Sequence, residues 1–371
     1  MRLCVIYNFA QHYRASIFKL ISESFDCDFV FGDTMDDVKK MNYAMLNVSV
    51  TETHTISLFK GWKWQCGIIS RLFVKYNQYV LLGDSRNLSI WLFCISQRML
   101  FPKKKVYFWT HGWYGKESRL EALIKKVFLR LPNGGLFLYG NYARNLMIKE
   151  GFEPDKLFVI YNSLAYDKQV TLRKRISANN IYSDHFKNNN PNLFFIGRLT
   201  SEKRLDLALE ALYKLRKRGK LYNLTIVGSG IERENLIHRI LELGLKDCVW
   251  LYGACYDEEL LCNIIYNADL CVSPGNVGLT AIHSMTFGTP VVTHSDYSHQ
   301  GPEFEAIKAG VTGDFFKRDD VESMVSCIDE WFKKHADSRD KTREVCYDEI
   351  ERCWNPHIQI DILKKVLNDN K

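Results

Sequence analysis

Short apolar runs alternate with longer stretches of helical periodicity along the whole chain. An apolar run followed by a helical segment is the pattern of a βαβ unit, so the alternation predicts parallel sheets. The predicted strands of the first half cover residues 3–7, 28–31, 79–82, 106–109, 136–139 and 157–161. Those of the second half cover residues 193–196, 224–227, 249–252, 270–272 and 291–293. The pattern therefore predicts an α/β protein with two doubly wound parallel sheets.

The length predicts two domains. A chain of 371 residues exceeds the size at which one hydrophobic core keeps growing. Residues 166–190 are polar, rich in Asn and weakly periodic, which is typical of a linker. We therefore expect a first domain over residues 1–165 and a second over 191–354, with a C-terminal helix at about 355–371 that packs back on the first domain.

Basic residues are concentrated in the first half. Residues 1–190 contain 27 Lys and Arg against 15 Asp and Glu, whereas the remainder contains 23 against 28. A basic lobe can meet anionic lipid, nucleic acid or a phosphorylated substrate, and charge does not choose among them. No known nucleic-acid reading motif accompanies the charge, so we expect no nucleic-acid partner.

The cysteines and the apolar runs indicate the compartment. The 11 cysteines never form a Cys-x-x-Cys pair and lie mostly in apolar runs, as buried thiols do in a reducing compartment. Residues 1–8 lack the apolar core of a signal peptide, and the longest apolar run, near 90–95, is far shorter than the ~20 residues that span a bilayer. We expect a cytoplasmic protein, at most peripheral at the inner face of the cytoplasmic membrane.

Two cations follow the predicted strand 193–196. Arg198 comes directly after Gly197, and Lys203 lies five residues later, where a helix begins. A fixed guanidinium and ammonium at a strand-to-helix crossing suit a diphosphate, whose charge they stabilise as it departs. The alternative is a solvated helix start, since Lys and Arg lie mostly on surfaces.

Two glycine-rich turns end other strands of the second half. Gly228 and Gly230 permit a tight turn and close approach to a ligand, although many turns need glycine for geometry alone. The second turn, residues 273–278, leads into a short helix. The free N–H groups at that helix start predict a phosphate site. They belong to Gly278, Leu279 and Thr280.

These three segments together resemble the nucleotide-sugar half of the retaining glycosyltransferases of glycosyltransferase family 4. The resemblance continues through residues 249–253 and 305–313, about 130 residues in order. It implies the GT-B fold, two Rossmann-like domains facing a central cleft, with the acceptor bound by the first domain and the nucleotide sugar by the second. Arg198 and Lys203 then clamp the diphosphate. The implied donor-binding residues are Gly228, Gly230, Gly275, Asn276, Gly278, Leu279, Thr280, His283 and Glu303, and the implied acidic catalytic residue is Glu305.

The sequence departs from the family at a pair of carboxylates. Family members usually carry Glu-x7-Glu across this loop and helix, where this chain has Gly275 and His283. The first carboxylate normally faces the donor sugar and the second binds the ribose. His283 can still hydrogen-bond a ribose, or is an ordinary core histidine. The sugar-facing role passes to Glu303 or Glu305, or activity is lost.

In the first half, His111 follows the strand 106–109 and matches the family histidine that contacts the donor sugar; the alternative is a structural histidine. Three residues after the first strand and one after the third are candidates for the acceptor side: Asn8, His12, Arg14 and Asp84. Asp84 is alternatively a helix cap. Asn162 resembles the family's hinge asparagine, or simply forms a turn.

Residues 116–131 form a basic amphipathic segment. Leu120, Leu123, Ile124, Val127 and Leu131 recur at helical spacing among cations. Such a helix lies on an anionic membrane surface, or packs on the core with a solvated basic face. Residues 59–64 and 103–105 add further aromatic and basic groups.

The function expected from the resemblance is transfer of a sugar from a nucleoside diphosphate sugar to a saccharide or lipid-linked saccharide acceptor, with retention. The resemblance implies no cofactor and no obligatory metal, and the sequence has no Asp-x-Asp motif. The family's habits suggest bacterial surface polysaccharide or glycolipid biosynthesis. Two alternatives are a subunit that binds nucleotide sugar without catalysis and a nucleotide-sugar epimerase on the same fold.

Overall fold

The computed structural model describes residues 2–33, 38–335 and 338–369. Its strands are β1 Arg2–Tyr7, β2 Asp26–Gly32, β3 Val50–Thr53, β4 Thr55–Ser57, β5 Lys63–Gln65, β6 Gln78–Leu82, β7 Lys105–Thr110, β8 Gly135–Leu138, β9 Leu157–Val159, β10 Asn192–Ile196, β11 Asn223–Val227, β12 Val249–Gly253, β13 Leu270–Ser273, β14 Val291–His294 and β15 Gly313–Phe316. Its helices are α1 Ala15–Ser24, α2 Leu88–Leu100, α3 Arg119–Leu129, α4 Asn141–Lys149, α5 Tyr166–Arg173, α6 Ile181–Phe186, α7 Leu205–Lys217, α8 Arg233–Glu242, α9 Glu258–Asn267, α10 Leu279–Thr286, α11 Val321–His335, α12 Arg339–Cys353 and α13 Pro356–Asp369.

The chain divides into two compact units. Unit 1 comprises Met1–Ala165 and Asn355–Lys371, and unit 2 comprises Tyr166–Trp354. Helix α13 packs against α1 within unit 1, and its Ile360, Leu363 and Leu367 enter the core of that unit. Residues 370–371 of the predicted C-terminal helix lie outside the described residues.

Unit 1 is built on a parallel sheet of seven strands in the order β3-β2-β1-β6-β7-β8-β9. Alternate residues of β1 point to opposite faces, so Leu3 and Val5 enter one core while Cys4 and Ile6 enter another. Helices α1 and α13 cover the first face, and α2 and α3 cover the second. Burial on both faces explains why these strands read as continuous apolar runs.

Unit 2 repeats the arrangement with six parallel strands in the order β12-β11-β10-β13-β14-β15. Its core packs α7, α8 and α11 against the sheet through residues such as Leu209, Ile240 and Ile328. The two sheets confirm the predicted doubly wound α/β class. In both, the strand order reverses once, between β1 and β6 in unit 1 and between β10 and β13 in unit 2.

All eleven predicted strands are present, but four further strands were missed. β3 has the polar sequence Val-Thr-Glu-Thr, β4 and β5 form a separate antiparallel hairpin, and β15 is a short edge strand after Thr312. The segment 166–190 is not a bare linker, because it contains α5 and α6 and belongs to unit 2. The Tyr182 hydroxyl of α6 donates to the carbonyl of Ile264 in α9 at 2.7 Å.

No helix in the described ranges combines the length and the apolar character needed to cross a bilayer.

Candidate functional site

The reversal of strand order in unit 2 places two of the sequence motifs side by side. β10 and β13 pair in parallel, with Leu193 opposite Leu270, so their carboxyl ends open at the same edge. In doubly wound sheets this reversal is where ligands bind. The cations Arg198 and Lys203 follow β10, and the loop 274–278 follows β13.

A hydrogen bond joins these two segments. The Lys203 Nζ donates to the carbonyl of Asn276 at 2.5 Å, and the N–H of Gly275 donates to the carbonyl of Lys203 at 3.1 Å. The Asn276 side chain in turn accepts from the N–H of Gly301 at 2.9 Å. The loop after β13 is therefore held between the turn after β10 and the turn that carries Glu303.

Gln300 holds the same loop through hydrogen bonds of its side-chain amide. Its Oε1 accepts from the N–H of Val277 at 2.8 Å, while its Nε2 donates to the Thr293 hydroxyl at 2.8 Å and the carbonyl of His294 at 3.0 Å. Gln300 is only 3% exposed. Such a buried amide with every contact made positions a loop rigidly.

Helix α10 begins directly after this loop. Its N-cap Gly278 has a φ of +48°, a left-handed conformation that favours glycine. The Thr280 hydroxyl donates to the carbonyl of Ile196 at 2.6 Å and so ties the helix start to the end of β10. Because the hydroxyl is engaged, what Thr280 offers a ligand is its backbone N–H, together with those of Gly278 and Leu279.

The charges around Lys203 belong to one neighbourhood. Burial lowers the pKa of Lys203 to about 8; the charge of Glu303 opposes that shift and the charge of Arg198 adds to it. Arg198 is exposed, and its guanidinium makes no hydrogen bond or ion pair within the part of the chain that the structure describes. A partly desolvated ammonium, an open guanidinium and a helix start are all groups that favour an anion.

Gly228 and Gly230 are required by the packing of two turns. A Cβ on Gly228 would lie 1.9 Å from the carbonyl oxygen of Gly197, and one on Gly230 would lie 2.3 Å from that of Leu199. These glycines let the turn after β11 pack on the turn after β10. Their closest approach is to backbone, so the structure favours the geometric alternative.

Gly275 cannot be replaced by the family carboxylate on this backbone. A Cβ there would lie 1.9 Å from the carbonyl oxygen of Glu202. Glu303 is only 3% exposed, and its Oε2 lies 2.7 Å from the position that a Cβ on Gly301 would occupy. The Cα of Gly278 lies 3.1 Å from that same position. Glu305 lies on the same turn and is half-buried. The geometry thus favours Glu303 as the carboxylate of this pocket.

His283 contacts a carboxylate rather than only the apolar core. Its Nε2 lies 2.9 Å from the Glu258 Oε1, which also accepts from Gln169 Nε2 at 2.6 Å. Burial by itself would raise the pKa of Glu258, but His283 and Gln169 outweigh it and hold that pKa at about 2. Sequence reasoning missed Glu258 and Gln169, since nothing along the chain connects them to His283.

Unit 1 gathers its candidate residues at the reversal of its own sheet. Asn8, His12 and Arg14 follow β1, and Asp84 follows the neighbouring β6. The Asn8 Oδ1 accepts from Gln11 Nε2 at 3.4 Å, and His12 Nδ1 lies 3.2 Å from the Lys39 carbonyl. The four candidates therefore lie at adjacent strand ends.

Arg14 and His111 share an aromatic cluster. The Arg14 guanidinium is buried and lies 5.2 to 5.4 Å from the ring centres of Tyr7, Trp109 and Tyr139. The His111 ring is 4.6 Å from that of Tyr139. His111 is exposed to solvent, but the surrounding protein and the positive charges of Arg14 and Lys125 lower the pKa of its ring to about 4. His111 is therefore neutral near pH 7.

Local hydrogen bonds decide the alternative for Asp84 and describe the setting of Asn162. Asp84 does not cap α2, because Asn87 does so by accepting from the N–H of Ser89 at 3.2 Å. Asp84 accepts instead from the N–H of Arg86 at 3.0 Å, within the preceding turn. Asn162 is buried and accepts from the N–H of Ser163 at 3.0 Å, three residues before the end of the first segment of unit 1, and its hinge role stays a prediction.

Comparison with known proteins gives one family match and many structural neighbours. Residues 178–348 match the family model described as glycosyl transferases group 1. The uncharacterized glycosyltransferase MJ1607 of Methanocaldococcus jannaschii is 29% identical over 171 residues, which are 43% of this chain and 40% of that protein. The match thus spans about two fifths of that relative.

Two solved structures cover nearly the whole chain. One is the lipopolysaccharide outer core galactosyltransferase WaaB in its apo form, with a TM-score of 0.71, 14% identity and 100% of both chains covered. The other is Alr3699/HepE of Anabaena in complex with UDP, with a TM-score of 0.72, 13% identity and coverage of 99% and 100%. At such low identity the likeness shows the fold, which is GT-B.

Proposed function

We propose that this chain, which carries a glycosyl transferases group 1 domain on a GT-B fold, transfers a sugar from a nucleoside diphosphate sugar to an acceptor hydroxyl. One observation carries the proposal. At the reversal of the unit 2 sheet, Lys203 contacts the loop that leads into α10, Thr280 ties the start of α10 to the end of β10, and the charge of Arg198 acts on Lys203. Three kinds of anion-binding group at a single edge suit a diphosphate.

In this proposal the pocket stabilises the leaving group. The bond between the anomeric carbon and the diphosphate oxygen breaks, and a bond to the acceptor oxygen forms. The acceptor proton passes to the departing diphosphate, whose negative charge Arg198 and Lys203 offset. Retention of anomeric configuration and the lack of an obligatory metal are proposed from the resemblance to glycosyltransferase family 4.

Glu303 takes the place of the missing family carboxylate. It is buried on the turn Pro302–Ala306 and exerts the largest charge effect on Lys203. We assign it the side of the pocket that holds the donor sugar, with Glu305 beside it. His283, oriented by Glu258, is assigned to the ribose hydroxyls.

Unit 1 supplies the acceptor residues in this proposal, with the neutral His111 available to hydrogen-bond sugar hydroxyls. The acceptor is a saccharide or a lipid-linked saccharide of a bacterial surface polysaccharide or glycolipid pathway. The transfer takes place at the inner face of the cytoplasmic membrane. The basic surplus of unit 1 supports an anionic acceptor or surface.

Release of free nucleoside diphosphate tests the function. The panel is a set of nucleoside diphosphate sugars with saccharide acceptors, and the variants are Arg198→Ala and the control Arg216→Ala, whose guanidinium pairs with Asp247 on the surface. Loss of a charged hydrogen bond costs about 1.5 to 3 kcal/mol, so Arg198→Ala is expected to lower turnover by roughly 10- to 100-fold and the control is not.

Unchanged turnover in Arg198→Ala would remove that residue from the clamp. Donor binding without release or hydrolysis across the whole panel would instead favour a subunit that binds nucleotide sugar without catalysis, a candidate that rests on the absence of a carboxylate at Gly275.

A further inference from the structure

Unit 1 leaves apolar side chains uncovered on two helices. α2 connects β6 to β7, and α3 connects β7 to β8; their inner sides enter the same core. Their outer sides carry large apolar residues at positions i, i+3 and i+7, each between 41% and 76% exposed. We call these residues the α2–α3 face: Leu92, Ile95, Met99, Leu120, Leu123 and Val127.

Both helices cover the same face of the unit 1 sheet, so their outer residues lie on the same side of the unit. The ring of Trp91 on α2 lies 5.1 Å from that of Phe128 on α3. Arg98 at the end of α2 donates to the carbonyls of Arg130 and Leu131, just after α3, at 2.7 and 2.8 Å. A group of large exposed apolar residues on one side of a domain is typical of an interaction site.

The sequence allows the alternative that the segment 116–131 packs on the core. The exposures of three of its five apolar positions contradict that alternative. Leu120, Leu123 and Val127 are 69%, 61% and 50% exposed. The residues of α3 that are fully buried are Phe128 and Leu129, at its end.

A dense positive charge surrounds this face. Residues 98–130 contain nine Lys and Arg against two acidic residues. Lys104 and Lys125 are engaged internally, by carbonyls and by Glu117. Lys103, Lys116 and Arg119 are exposed, and none of them pairs with a carboxylate of the described residues.

We propose that the α2–α3 face docks on the surface of an anionic lipid bilayer. The apolar side chains enter the interface between headgroups and acyl chains, and the surrounding cations contact the headgroups. A second copy of this chain fits less well, because a two-fold contact through this face would bring the same positive charges together. The inference names the surface for the membrane association proposed above and does not depend on the chemistry in unit 2.

Vesicle flotation of the full chain tests the docking. The vesicles contain phosphatidylcholine alone or with phosphatidylglycerol, at low and high salt. Leu120→Glu/Leu123→Glu alters the α2–α3 face. The control, Leu221→Glu/Leu241→Glu, adds the same charge at residues of unit 2 that are 54% and 58% exposed. Thermal unfolding and nucleoside diphosphate binding are measured on every variant.

The native chain and the control are expected to float with anionic vesicles, more weakly at high salt, and the face variant to partition at least about tenfold less. Equal flotation of the face variant, or no flotation of the native chain, would overturn the proposal. So would a dimer of the native chain that the face variant abolishes in sedimentation, since the face would then bind a second copy. Nucleoside diphosphate binding unchanged in the face variant separates this test from that of the unit 2 function.

Discussion

At the scale of single residues, Lys203 should make the proposed donor site sensitive to pH. Its pKa is lowered to about 8, mainly by burial, so its charge is present below pH 8 and is lost as pH rises through that value. A diphosphate stays fully ionised over this range, because the second phosphate pKa is about 6. Nucleoside diphosphate affinity is therefore expected to fall by about tenfold between pH 7.5 and 9.5.

Calorimetric titration across that range measures the effect. Lys203→Met is the matched variant, since it keeps the length of the side chain without the charge; it should bind more weakly and show a flat profile. A native affinity that does not change between these two pH values would mean that Lys203 does not contact the anion.

Glu303 is expected to act on turnover more than on donor binding. Glu303→Gln keeps the shape of a side chain that is 3% exposed but removes its charge beside Lys203. The loss of that acid removes a negative charge near the diphosphate but also lowers the pKa of Lys203 further, so the comparison is made well below pH 8, where Lys203 stays charged. Donor affinity should there hold or improve while kcat falls by roughly 100-fold, the usual size of a positioned carboxylate effect.

Parallel assays of donor binding and kcat check this, with Glu305→Gln as the comparison on the same turn. If only Glu305→Gln loses activity, the sugar-facing carboxylate belongs to Glu305.

Sequence reasoning can connect only residues that are close along the chain. Arg198 and Lys203 were predicted as a pair because one strand-to-helix turn carries both, and their diphosphate role stays a prediction. The pair of His283 with Glu258 was not, because it joins two helices, and no pattern within either helix indicates it. Glu303 and Glu305 lie only two residues apart, so the sequence does not distinguish them. The assignment of Glu303 to the pocket depends on its greater burial, which only the structure shows.

At the scale of elements, the loop 274–278 depends on Gln300. Gln300→Leu removes three buried hydrogen bonds, to Val277, Thr293 and His294. The free energy of unfolding is expected to fall by about 2 to 4 kcal/mol, and nucleoside diphosphate affinity should fall as well because the loop loses its support.

The matched control is Gln97→Leu in unit 1. Gln97 is equally buried and donates to the carbonyls of Phe101 and Lys104, at 3.1 and 2.6 Å. Chemical denaturation and ligand titration should show two destabilised variants, of which only Gln300→Leu binds the ligand less well. If both variants bound the nucleoside diphosphate equally well, the support that Gln300 gives the loop 274–278 would not contribute to ligand binding.

The elements that sequence predicted are those with two buried faces. Central strands such as β1 and β10 are runs of apolar residues because helices cover both sides of them. β3 and β15 are edge strands with polar or glycine-containing sequences, so their pattern is weak. α5 was missed since its sequence is polar, with little of the amphipathic period that marks a helix, and α6 was missed because its six residues are too few to show that period.

At the scale of the whole molecule, charge and anion binding are separated. Unit 1 carries 25 Lys and Arg against 15 Asp and Glu, whereas unit 2, which holds the proposed diphosphate site, carries 25 against 28. Net charge therefore does not identify the proposed donor site. In the proposal two side chains and one helix start create that site within a slightly acidic unit, and the basic surplus of unit 1 is available to the acceptor or a surface.

The most direct test of the account is a crystal structure of the chain with the nucleoside diphosphate that stabilises it most in a thermal-shift panel. The account predicts the diphosphate at the carboxyl ends of β10 and β13, within hydrogen-bonding distance of Arg198, Lys203 and the N–H groups of residues 278–280. A diphosphate bound elsewhere in unit 2, or one that leaves both cations uncontacted, would contradict it.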